Sequence, residues 1–234
     1  MGYSKKDEIA KVRKERREAK AAKKRNVDIR EKFIRFLIVC EGTKTEPHYF
    51  ESLIKNCIST VREVRIEGEG MATVALDNKT LEIKNDLERR NAMHFDRVWV
   101  VFDKDNFNDF NEAIRKANKL GFHSAWTNEA FELWYFLHFE YLDTGVGRDD
   151  YIRKIEDAFR KRMNNPNFRY KKGDPDIYEL LQKYGREDLA KKYAKELRKL
   201  FSDKDYSAHK PCTMVDKLVE EIECPEFLLK KQKN

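Results

Sequence analysis

Three carboxylates in this chain combine a residue type and a placement that could do chemistry: Glu41, Asp103 and Asp105. Such oxygen donors, gathered at one edge, suit a divalent cation. Mg²⁺ prefers carboxylate and water oxygens in an octahedron and usually takes only one or two protein carboxylates. Asp103 and Asp105 lie two apart, so on an extended segment both side chains would point the same way. Each acid alone has a plainer reading. A Glu after a strand is commonly a solvated loop residue or a helix cap, and Asp-x-Asp is common in turns. Their joint position is what points to a metal site.

That position depends on two apolar runs. Phe36-Leu37-Ile38-Val39-Cys40 precedes Glu41 and Gly42, and Val98-Trp99-Val100-Val101-Phe102 precedes Asp103. Continuous apolar runs bounded by turn signals read as strands buried on both faces, as in parallel sheets. The carboxyl ends of such strands are where open α/β sheets bind ligands. After Glu41, Gly42 permits a sharp turn, Thr43 and Glu46 have capping-box spacing, and Tyr49, Phe50, Leu53, Ile54 and Cys57 continue a helical stripe. No GxGxxG and no GxxxxGK[ST] follows either run, which argues against a dinucleotide site or P-loop.

Further strands are expected over 61–67 and 122–126, with helices over 73–90 and 108–120. A central helix is expected over 127–139, capped by Asn128. In it, Glu129 and Glu132 fall in the first turn, where acids complement the helix dipole. The sharper reading makes Glu132 a fourth carboxylate of the site. His138 reads as a packed core histidine. The alternation predicts an α/β fold, a mainly parallel sheet flanked by helices, over residues 32–142.

From residue 143 to 234 the pattern is helical. Tyr151, Ile152, Ile155 and Phe159 form one stripe, Leu189, Tyr193, Leu197 and Leu200 another, and Val215, Leu218, Val219 and Ile222 a third. In and between these elements Lys171, Lys172, His209 and Lys210, together with Lys44 beside Glu41, are candidates for gripping nucleic-acid phosphates. Solvated loop charge is the plainer reading.

With 40% hydrophobic residues in 234, the chain can bury a sizeable core. No apolar run approaches a membrane span, and the charged N-terminus does not read as a signal peptide. The four cysteines form no CxxC pair and suit a reducing, cytoplasmic setting. The net charge of +7 is unevenly spread: residues 1–25 carry 11 Lys/Arg against 4 Asp/Glu, and the rest balance at 38 each. Residues 1–31 therefore read as a basic arm, disordered or partly helical, that attracts phosphates or docks a partner.

The segments "VCEGTKTEPHYF", "VVFDKDNF" and "NEAFELWYFLHF" together resemble the RloB-like (AbiLii-like) family over roughly residues 33–220. The core of that family is a TOPRIM domain, the compact α/β fold of topoisomerases, primases and OLD-type nucleases. The resemblance implies that Glu41 matches the first-strand Glu of TOPRIM domains, and Asp103 and Asp105 their Asp-x-Asp. By it these acids bind Mg²⁺, with Mn²⁺ the alternative ion, and Glu41 also shuttles protons. It further implies the effector half of an anti-phage defence pair with an ABC-type ATPase.

The resulting expectation is a Mg²⁺-dependent nuclease acting on nucleic acid, RNA and in particular tRNA being favoured, with Glu41, Asp103, Asp105 and Glu132 as catalytic residues. The competing class is a non-catalytic module that binds nucleic acid or an ATPase on the same scaffold. A third, a phosphorylated receiver-like domain, lacks a clear Lys-bearing final strand.

Overall fold

The computed structural model describes residues 14–17, 34–57, 62–70, 73–105 and 107–231. Met1–Phe33 and Ile34–Asn234 are separate units, and the second carries the elements below. The arm expected over 1–31 lies outside the described residues, except for the helical stretch 14–17.

Among the described residues four strands make one all-parallel sheet: β1 (Ile34–Cys40), β2 (Arg62–Gly68), β3 (Arg97–Asp103) and β4 (His123–Thr127), in the order β2-β1-β3-β4. The helices α1 (Thr45–Asn56), α2 (Thr73–Asn91) and α3 (Phe110–Lys119) connect them in turn.

Because successive strand residues face opposite ways, each buried strand feeds two cores. Phe36, Ile38 and Cys40 of β1, with Trp99 and Val101 of β3, pack under Tyr49, Phe50 and Leu53 of α1. Leu37 and Val39, with Val98, Val100 and Phe102, pack under α2 and α3 through Leu76, Phe110, Ile114 and Ala117. So α1 lies on one face and α2 and α3 on the other. Same-handed crossovers produce this arrangement when the direction of strand addition reverses.

The helical remainder comprises α4 (Glu132–Leu137), α5 (Arg148–Met163), α6 (Ile177–Tyr184), α7 (Glu187–Lys199), α8 (Val215–Glu223) and α9 (Glu226–Lys231). It builds on the α1 face and shares its core. Trp134, Tyr151, Phe159, Leu181, Leu197 and Leu218 are buried in one cluster with the sheet residues. No helix among the described residues is long and apolar enough to cross a membrane. His138 is buried as expected, with Nδ1 bonded to the Trp134 carbonyl (2.9 Å), and burial pulls its pKa down to about 4.

The helix expected over 127–139 is shorter, and its N-terminal part is replaced by a bend. Asn128 does not cap it. Its N–H donates to the Cys212 carbonyl (2.9 Å) and its side chain to the carbonyls of Tyr206 (3.0 Å) and Ser207 (2.9 Å). Glu129 has φ +86°, which a helix cannot accommodate. Contacts with a segment eighty residues away outweigh the local helical pattern.

Candidate functional site

In this strand order β1 is followed by β2 on one side and by β3 on the other. The order therefore reverses between β1 and β3, and open parallel sheets bind ligands at the carboxyl ends flanking such a reversal. Glu41 and Asp103 stand there. The Glu41 N–H donates to the Val101 carbonyl (2.8 Å), and its own carbonyl accepts from Gly70 N–H (2.7 Å), so its backbone is held from both sides. Its Oε2 accepts the Asp103 N–H at 3.2 Å, and Asp103 Oδ2 accepts the Phe131 N–H at 2.9 Å. Asp103 is buried, at 8% exposure.

Asp105 reaches the site by a different route from the one expected. β3 ends at Asp103, and Asp105 lies in a turn with φ +42°, a left-handed conformation that Asp tolerates. Its alignment with Asp103 comes from a shared partner, Arg148, and not from an extended backbone. Arg148 Nη1 lies 3.3 Å from Asp105 Oδ2, and Nη2 lies 3.6 Å from Asp103 Oδ2.

Two acids flank this pair. Glu46 forms no capping box. The N-cap of α1 is Lys44, without a side-chain cap bond, and Glu46 is buried at 6% exposure, its Oε2 lacking a hydrogen-bond partner among the described residues. It folds over Gly42, where any Cβ would collide with Oε2. The absence of a side chain at Gly42 thus makes room for a carboxylate, which is a different role from the sharp turn expected there. Glu132 is the first residue of α4, 1% exposed, and its Oε1 accepts a hydrogen bond from Tyr170 OH at 3.2 Å.

These groups act on one another. Burial, reinforced by Glu46 and Asp105, pushes the Glu41 carboxyl up to about 7. Burial together with Glu46, Glu132 and Glu41 raises Asp103 well above the ordinary range. Burial and Glu132 raise Glu46 too, while Lys172 and Arg148 oppose that shift.

The acids open onto a cleft of about 700 Å³ lined by Glu41, Glu46, Asp103 and Asp105 with Lys44, Arg148 and Lys172. The loop bearing Lys172 is tied to α1 by His48, whose Nδ1 donates to the Gly173 carbonyl at 2.9 Å. The other candidate phosphate contacts do not line this cleft. Lys171 is exposed. Lys210 pairs with Glu129 at 2.5 Å. His209 is buried, stacked on Phe201 (centroids 4.5 Å apart), with Nε2 2.9 Å from Asp203 Oδ1. Glu46 and Arg148 are the site residues that the sequence pattern does not single out.

The donor chemistry suits a hard divalent cation. Every acid here offers oxygen, and two buried oxygens, Asp103 Oδ1 and Glu46 Oε2, have no hydrogen-bond partner among the described residues. As the side chains stand, no three His, Cys, Asp or Glu among the described residues are gathered closely enough to enclose an ion. The expected single cage of Glu41, Asp103 and Asp105 is therefore not preassembled. The arrangement fits one or two direct carboxylates, with Asp103 the best placed.

The fold and site together define a parallel α/β protein with an acid-lined cleft at its topological switch point. The RloB-like protein family model matches residues 36–222, and the chain belongs to that family. No curated protein and no solved structure matches it.

Proposed function

We propose that this protein is a divalent-metal-dependent nuclease with a TOPRIM-type core, that RNA, tRNA included, is its favoured substrate, and that it is the effector of an anti-phage defence system with an ABC-type ATPase partner. The observation that carries the proposal is the coupling of Glu41 and Asp103 across the switch point, Glu41 Oε2 accepting the Asp103 N–H while Asp103 Oδ1 stays buried with no hydrogen-bond partner among the described residues. Asp103 would be the principal ligand of Mg²⁺ or Mn²⁺, joined by Glu41, Asp105 or Glu46. The bound ion supplies Lewis acidity and a more acidic water.

The chain's own residues supply the rest. Glu41, whose carboxyl burial pushes up to about 7 in the metal-free chain, is the candidate to accept a proton and return it to a leaving oxygen. Lys44 and Lys172 line the cleft beside the acids, where they offset backbone phosphate charge. The walls of α1 and the 172–173 loop hold the nucleic acid over Asp103.

A second reading, a non-catalytic module that binds nucleic acid or an ATPase, is favoured by one feature. Arg148 already offsets the charge of Asp103 and Asp105. Sequencing cellular RNA ends after inducing the wild type and Asp103→Ala separates the two. New ends that appear with the wild type and not with the variant support the nuclease. Identical end profiles from two well-folded proteins favour the binding module.

A further inference from the structure

Arg148, the first residue of α5, reaches from the helical layer into the cleft. Its guanidinium spans both carboxylates of the Asp-x-Asp pair, at 3.3 Å from Asp105 and 3.6 Å from Asp103. An ion shared by the two acids would sit beside the same carboxylates, within a few ångströms of the guanidinium even if it took Asp103 Oδ1. Both separations are longer than the ~2.7–2.9 Å of a well-formed charge-assisted hydrogen bond. Among the described residues, Arg148 Nε is buried without a hydrogen-bond partner, so the stem of the fork is not held by a bond at that atom. The side chain is also 30% exposed, which leaves it a path outward.

A guanidinium cannot lose its proton to make way for a second cation. It and a divalent ion on the same carboxylates would repel across a few ångströms, where little water screens them. We infer that Arg148 is a built-in counter-ion of the Asp103–Asp105 pair, and that a divalent cation must displace it to bind there. This rests on the metal-site reading above and adds a competitor to it. Metal binding then delivers a free guanidinium to the cleft, the group best shaped to hold a phosphate bidentately.

The test is Mn²⁺ binding to the full chain, followed by the electron paramagnetic resonance of free Mn²⁺, for wild type and Arg148→Ala. The competitor's removal should tighten binding roughly tenfold or more. Because Arg148→Ala could fold poorly, the wild type supplies a second measurement. The Nε–Hε resonance of Arg148, assigned by its loss in Arg148→Lys, should shift during a Mg²⁺ titration with the midpoint that calorimetry gives for binding. Equal or weaker Mn²⁺ binding by Arg148→Ala, or a resonance that stays in place while Mg²⁺ binds, overturns the inference and leaves the metal site standing. Failure of both proteins to bind Mn²⁺ removes the metal reading and this inference with it.

Discussion

Glu41 concentrates the site's electrostatics in one side chain. Its carboxyl is held by burial at about 7, against an ordinary 4.5, so between those values the folded protein keeps a proton that the unfolded chain has released. Stability without metal is therefore greatest below pH 4.5 as far as Glu41 is concerned, and falls as pH rises through 7. Asp77 and Glu223, both also raised to about 7, chiefly by burial, act in the same direction. In Glu41→Gln, urea unfolding in chelator should show a smaller loss of stability between pH 5 and pH 8, by ~1–2 kcal/mol after solvent screening. An unchanged loss would mean that Glu41 is not held in the buried setting described. Glu41 and Asp103 are legible in the sequence because each follows an apolar run that only a buried strand satisfies. Glu46 is not, because Thr-x-x-Glu before a helix has a local explanation in capping, and only the folded chain reveals that Gly42 leaves room for its carboxylate.

At the level of elements, the cleft depends on bonds between segments far apart in sequence. Thr213 forms an isolated antiparallel bridge to Thr127 at the end of β4, and their hydroxyls are 2.9 Å apart. Arg198 of α7 fixes this segment by donating to the Thr213 carbonyl (2.7 Å) and to both carboxylate oxygens of buried Asp216 (2.5 and 2.6 Å). Arg198→Ala leaves the buried Asp216 carboxylate with only the longer Lys217 contact, 3.8 Å from Nζ to Oδ2, and should destabilise the protein by about 3–5 kcal/mol. Thermal and denaturant unfolding measure this. A loss below about 1 kcal/mol, the usual worth of an exposed ion pair, would contradict the anchoring role. The same long-range bonds explain why the central helix departs from its expected span. The apolar residues from Phe131 to Phe139 join the core as their pattern implies, but Asn128, through its N–H and side chain, and Glu129, through its ion pair with Lys210, answer to the 206–213 segment, which no local periodicity encodes. Arg148 is invisible in the sequence for a related reason: a basic residue opening a charged helix resembles any solvated residue until the fold sets it against Asp105.

Across the whole molecule, charge is partitioned. The basic excess lies in residues 1–25 and the rest of the chain is balanced, so the acid-lined cleft has little general attraction for nucleic acid to draw on. If the arm supplies that attraction, deleting residues 1–31 should weaken RNA binding and flatten its dependence on salt. The log–log slope should fall by roughly 0.7 for each single-strand phosphate that the arm had neutralised. The melting temperature of the remaining chain should be unchanged. An identical slope after deletion would assign the phosphate binding to the cleft residues Lys44 and Lys172.

The central claim, that Glu41 and Asp103 form one carboxylate site for a divalent ion, is tested most directly by the Mg²⁺-induced stabilisation of wild type and Asp103→Asn. In chelator the variant should melt higher, since it relieves a crowded set of buried acids while an amide oxygen can still accept the Phe131 N–H. Mg²⁺ at about a hundred times its dissociation constant should stabilise the wild type by about 2.7 kcal/mol. It should do much less for the variant, which has lost the best-placed charged ligand. Equal Mg²⁺ shifts in the two proteins, with no gain for the variant in chelator, would contradict the account.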